Sequence, residues 1–215
     1  MQYSDLVTYL KKNNATLVAV SKTKPVSQIK KIYARGQRIF GENRVEELVS
    51  KKAEMPSDIE WHFIGSLQSN KVKKLIPHAS LIHSVDRLSL IEEIQKRSLT
   101  ADVVTNILLQ PKIATEEAKQ GLETHELSQI IENYSKGKYP NLKIKGLMGM
   151  ATFTSDQDQV AGEFGTLKQA FDRIRDKYKI MGFETLSMGM SGDYEIAIKH
   201  GSNMVRIGSL IFGER

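Results

Sequence analysis

TLVAVSKTKPVSQIKKIYARGQRIFG, residues 16–41, decides the fold. Thr16–Ser21 is an apolar run rich in β-branched residues, and a polar turn containing Pro25 follows it. In Ser27–Arg35 the apolar residues then recur at three- and four-residue spacing, before Arg38–Gly41 reads as another strand. Strand, helix and strand in so short a stretch is the unit of a parallel α/β sheet. Outward from it the alternation continues, with β-rich runs at Glu60–Gly65, Ala79–Val85, Val103–Gln110, Ile144–Met150, Glu184–Met190 and Asn203–Gly208. Helical spacing recurs between them, in Arg44–Ala53, Asp86–Arg97, Thr124–Ser135 and Asp156–Lys179. Eight strand–helix units predict a single (β/α)8 TIM-type barrel over residues 1–215, whose active groups should lie at the carboxyl ends of the strands. An open doubly wound sheet is the other arrangement this alternation permits, but eight repeats in so few residues favour closure.

Composition narrows the function. The chain carries 31 Lys and Arg against 25 Asp and Glu, a net charge of +6, and is 40% hydrophobic. That is the make-up of a globular domain. The absence of cysteine excludes a disulfide scaffold, a Cys-based zinc site, an iron–sulfur cluster and a thiol nucleophile. MQYSDLVTYLKKNN resembles no secretory signal, and no uncharged apolar stretch approaches the roughly 20 residues of a membrane helix, so a cytoplasmic protein that does not contact membranes is expected. The basic residues are scattered among acidic ones. The densest group, Lys71, Lys73 and Lys74, reads as a solvated helix face, so no nucleic-acid partner is expected.

Lys22 closes the first run with the parity of Val18 and Val20, which aims its amine into the barrel mouth if that face is inward. A lysine partly withdrawn from water becomes a nucleophile toward carbonyls, and Schiff-base chemistry is its natural role. Alone, the motif favours lysines that simply snorkel at a strand end, Lys22 and Lys24 alike. The C-terminal third shifts the balance. SMGMSGD (Ser187–Asp193) offers Ser191 and the Gly192 amide in a turn that opens a helix, and MVRIGS (Met204–Ser209) adds Gly208 and Ser209 after the eighth strand. Amides at a helix start suit a phosphate, and phosphate sites after strands seven and eight recur in this architecture.

Arg206 inside the last strand needs a ligand or a carboxylate, for which Glu42 or Asp193 could serve. Asn43, just after the second strand, is either a helix N-cap or a ligand contact. His62 and His83 read as hydrogen-bonded barrel residues and not as metal ligands. A lysine at the mouth together with a phosphate cradle implies a ligand with an aldehyde and a phosphate. Pyridoxal 5′-phosphate fits, and so does a triose phosphate handled by a Schiff-base aldolase.

Taken together, VAVSKTKP, FGENRVEEL, WHFIGSLQSNK, KGLMGMAT, SMGMSGDYEIAI and GSNMVRIGSLIFGER resemble the pyridoxal phosphate homeostasis protein family, from about Thr16 to Arg215. The resemblance implies a single barrel like the N-terminal domain of alanine racemase. It places the cofactor's Schiff base on Lys22, its phosphate on Ser191, Gly192, Gly208 and Ser209, Arg206 toward the ring, and Asn43 in the same pocket. Two departures are Ser66, where relatives carry His, and a short segment before Thr16.

The implied role is a carrier or buffer in vitamin B6 homeostasis, with PLP-dependent apo-enzymes as recipients and no catalytic residues. The alternative is a racemase-like enzyme. A fixed positive charge at the pyridine nitrogen disfavours ring protonation and weakens the cofactor as an electron sink. Tyr194, the nearest candidate for a second acid/base, reads as a packing residue. A self-sufficient barrel is expected to be a monomer.

Overall fold

Leu17 and Ala19 belong to the large core between the barrel and its helices, whereas Val18 and Val20 alternate with them onto the inner face. Repeated around the sheet, this alternation builds two concentric layers. The computed structural model describes residues 2–114 and 121–213. Its order is α1 (Tyr3–Lys12), β1 (Thr16–Val20), α2 (Val26–Ala34), β2 (Ile39–Glu42), α3 (Val45–Glu54), β3 (Glu60–Phe63), a 3-10 turn Ser69–Lys71 leading into α4 (Val72–Leu75), β4 (Leu81–Val85) and α5 (Leu88–Thr100). It continues through β5 (Thr105–Leu109), α6 (Thr124–Ser135), β6 (Leu142–Met148), α7 (Gln157–Tyr178), β7 (Thr185–Ser187), α8 (Tyr194–Lys199), β8 (Met204–Ile207) and α9 (Ser209–Phe212).

The eight strands are parallel and close into a barrel as the alternation predicts. β1 pairs with β8 from Thr16↔Met204 to Ala19↔Ile207, and with β2 at Ala19↔Phe40. Phe40, Trp61, Phe63, Phe164 and Phe183 fill the layer between strands and helices. Full burial of each such side chain stabilises the fold by about 1.5–3 kcal/mol. A much smaller apolar set, Leu81, Leu108 and Met148, forms a separate cluster.

Element boundaries differ from the sequence expectation in two places that matter. β6 starts at Leu142, because its register with β5 begins at Thr105↔Leu142. β7 stops at Ser187, short of the expected Met190, because the chain turns at Gly189, where φ is +98°. A Cβ there would meet the Ala197 Cβ at 2.7 Å, so this glycine is required by the turn itself. α7 starts as expected after Asp156, whose side chain accepts from the Asp158 and Gln159 amides at 3.0 Å each. Lys73 and Lys74 are exposed, and Lys71 pairs with Glu46, as a solvated face requires. Among the described residues no helix is long and apolar enough to cross a membrane.

Candidate functional site

The loops that follow β1, β2, β6, β7 and β8 surround a cavity of about 660 Å³ at the carboxyl ends of the strands. All seven residues singled out from the sequence line it: Lys22, Asn43, Ser191, Gly192, Arg206, Gly208 and Ser209. Lys22 lies two residues beyond β1 and is half-buried. The turn is tight, with the Lys24 amide donating to the Ser21 carbonyl at 3.0 Å and Thr23 at φ +65°. Lys24 also lines the cavity, while its ammonium donates to the Phe212 and Gly213 carbonyls at 3.2 Å each.

Asn43 is not a helix cap, because α3 starts at Val45 with Arg44 in the N-cap position. Its Oδ1 is buried with no hydrogen-bond partner. The β3 loop holds it there, since a Cβ on Gly65 would stand 2.2 Å from the Asn43 carbonyl oxygen and only glycine allows that approach. Ser66 is exposed and outside the cavity wall, so this departure from the family pattern does not touch the site.

On the opposite flank of the sequence, the β7 and β8 loops meet where the Gly208 amide donates to Ser191 Oγ at 3.4 Å. The amides of Ser191, Gly192 and Ser209 have no acceptor among the described residues. A Cβ on Gly192 would meet nothing within 4 Å. That glycine answers no packing demand and leaves the cavity wall open to a ligand. The helix starts contribute less than the sequence suggests. α8 spans six residues and α9 four, and the Asp193 carboxylate turns back to accept from the Met190 amide at 2.5 Å. An anion at this wall would meet loop amides and hydroxyls, with little dipole behind them.

Arg206 is 4% exposed, and neither expected carboxylate makes an ion pair with it. Its guanidinium donates to the Ser187 carbonyl and hydroxyl at 2.8 Å each and to the Gly149 carbonyl at 2.9 Å. Glu42 is instead engaged by Lys51 at 2.8 Å and by the Ser21 hydroxyl at 2.6 Å. Burial lowers the guanidinium to about 10, with Asp193 opposing, so Arg206 stays charged at neutral pH.

Behind it runs a chain of neutral groups. Ser187 Oγ, which accepts from Arg206, is also hydrogen-bonded to His83 Nδ1 at 3.1 Å, and His83 Nε2 is hydrogen-bonded to His62 Nδ1 at 3.0 Å. Burial lowers His62 to about 4. It pushes His83 well below its usual range too, with His62 and Arg206 adding to the effect. Both histidines are hydrogen-bonded barrel residues, as read from the sequence.

Tyr194 is a packing residue. Its ring meets Tyr9 edge-on at 5.8 Å, its hydroxyl donates to Glu195, and it does not line the cavity. Burial, aided by Glu195, raises its hydroxyl to about 12. Sequence reading missed the wall from Met150 to Gln157. Glu163 holds that wall, accepting from the Thr152 amide at 2.6 Å and hydroxyl at 2.7 Å. A buried glutamate on an otherwise apolar helix face was the one available signal.

A barrel with a lysine after its first strand and a serine–glycine wall after its last two is of the alanine racemase N-terminal-domain class. The family described as alanine racemase, N-terminal domain, matches residues 2–215. Alanine racemase from Streptomyces coelicolor shares the fold, with a TM-score of 0.80 at 15% identity over 97% of this chain and 57% of that one. Within the class, the chain belongs to the pyridoxal phosphate homeostasis protein family. Its relative of that name from Aquifex aeolicus is 42% identical over 94% of this chain and 88% of its own length. The Haemophilus influenzae relative is 38% identical over 94% and 86%. PipY of Synechococcus elongatus, in a structure with PLP bound, superposes with a TM-score of 0.88 at 31% identity over 99% of this chain and 100% of that one.

Proposed function

We propose that this chain binds pyridoxal 5′-phosphate covalently through Lys22 and serves vitamin B6 homeostasis as a carrier or buffer without robust catalysis. The observation that carries this reading is one cavity holding a half-buried lysine, a cluster of unpartnered loop amides and a buried, charged arginine. When bound, the cofactor supplies an aldehyde that condenses with a neutral amine, releasing one water.

The amides of Ser191, Gly192 and Ser209 and the two serine hydroxyls hold the phosphate. Asn43 Oδ1, buried and unsatisfied, gains a donor from the ligand. Arg206, steadied by Ser187 and Gly149, turns its remaining N–H groups to the ring and discourages a proton on the pyridine nitrogen. The PLP named in the PipY structure and the names of the curated relatives support the ligand assignment. The protein is proposed to act as a cytoplasmic monomer that passes the cofactor to apo-enzymes.

The test is visible absorbance after addition of pyridoxal phosphate, then borohydride reduction and peptide mass spectrometry, on wild type and Lys22→Ala. A reducible band with the adduct on Lys22, absent from Lys22→Ala, is expected. A wild type that stays colourless with excess cofactor refutes the assignment. Exchange of the α-proton of supplied amino acids would favour the racemase-like alternative.

A further inference from the structure

Beneath the turn that presents Lys22 lies a set of charged groups that do not themselves line the cavity. Glu42, the last residue of β2, is fully buried, and Lys51 on α3 is 7% exposed. The Lys51 ammonium donates to the Ser21 carbonyl at 2.9 Å, to Glu42 Oε1 at 2.8 Å and to Glu47 Oε2 at 3.1 Å. Ser21 Oγ donates to the same Glu42 oxygen at 2.6 Å, and the Thr23 amide donates to Glu47 Oε2 at 3.0 Å. Both residues flanking Lys22 are thus tied to one cluster.

The backbone they hold is unfavourable by itself. Thr23 is β-branched, yet sits at φ +65°, a conformation that costs on the order of 1–3 kcal/mol and persists only where the surroundings impose it. Stability alone gives little reason for ions here, because apolar residues of similar volume often serve a buried position as well or better.

We propose that Lys51, Glu42 and Glu47 are positioning residues that fix the Ser21–Thr23 backbone so that Lys22, and not Lys24, offers its amine to the aldehyde. Lys24 is the natural competitor, since it lines the same cavity two residues further on. The inference rests on the covalent binding proposed above and deepens it.

Two variants loosen the turn in different ways. Lys51→Met/Glu42→Gln removes both buried charges together, and Glu47→Ala removes the acceptor of the Thr23 amide from a partly exposed position. Each is checked for fold by circular dichroism, loaded with pyridoxal phosphate, reduced with borohydride and mapped by peptide mass spectrometry. The expected result is adduct on Lys24 as well as Lys22 and retention of cofactor about tenfold weaker, the scale of the released strain. Glu47→Gln, which keeps an acceptor for Thr23, should restore the wild-type pattern. A purely structural role would lower stability without moving the adduct. Adduct confined to Lys22 with wild-type retention in folded Glu47→Ala overturns the proposal. Absence of any Lys22 adduct in wild type would instead sink the cofactor reading on which it rests.

Discussion

Two buried polar regions flank the cavity, and they handle charge in opposite ways. Under the β1 turn, Lys51 meets Glu42 and Glu47 at ion-pair distance, so the cation is matched on the spot. On the last strand, Arg206 meets only carbonyls and a hydroxyl, backed by two neutral histidines. A matched cluster has little field left over, and its value is mechanical, because it pins backbone. A cation resting on neutral acceptors keeps its charge available, which is what a group facing a ligand requires. Burial therefore does not by itself say whether an ion supports or recognises; the partner chemistry does.

The largest expected effect breaks the matched cluster. Lys51→Met alone leaves Glu42 buried without its cation and should cost about 3–5 kcal/mol, read as a fall in the denaturant midpoint. Adding Glu42→Gln should recover most of that loss. A double variant no more stable than the single one would show that the cluster is not coupled as the hydrogen bonds indicate.

Next comes pH, where the regions oppose each other. His62 is lowered to about 4 and His83 well below its usual range, so the unfolded chain binds protons that the folded chain refuses, and stability falls as pH drops from 6.5 toward 4. Glu42 is raised to about 7, burial outweighing the Lys51 and Ser21 hydrogen bonds. The folded chain there keeps a proton that the unfolded one loses above about 4.5, so stability falls as pH rises from 4.5 to 7. Two histidines act in one direction and one glutamate in the other, so the histidine contribution sets the net slope. Urea titrations between pH 4 and 7.5 should show stability rising with pH in the wild type, less steeply in His62→Gln, where His83 still opposes Glu42, and more steeply in Lys51→Met/Glu42→Gln. Parallel curves for both variants would refute the contrast.

The smallest effect probes the neutral relay. Ser187→Ala removes one acceptor of Arg206 and the hydrogen-bond partner of His83 Nδ1 but leaves the Ser187 carbonyl in place. A loss of about 1 kcal/mol is expected by chemical denaturation.

The place of Lys22 at the cavity was legible because strand parity carries past the end of β1, and the serine–glycine wall because serine and glycine cluster after two strands in succession. Arg206 was legible as a buried cation but not by its partners, since a backbone carbonyl leaves no mark in sequence and the Ser187 hydroxyl looked like part of the loop. Asn43 stayed open between cap and ligand contact until α3 was seen to start two residues later. The Lys51 cluster was hidden, because KK in a helix reads as a solvated face and Glu42 lies on a different element, nine residues away in the chain. β7 was overextended because the apolar methionines of SMGM mask the turn that Gly189 makes possible.

The Lys24 ammonium reaches carbonyls 188 and 189 residues further along the chain, and β1 completes its pairing only with β8. The cavity is therefore incomplete in any N-terminal fragment, and a nascent chain lacking its last strand has Lys22, Ser191 and Gly192 without Arg206, Gly208 and Ser209. Such distant pairing forms late and slowly. Ligand binding then stabilises only the finished barrel, by an amount that grows with free ligand over its dissociation constant. Acquisition of colour during refolding would accordingly time ring closure, the moment when the two ends of the polypeptide first meet.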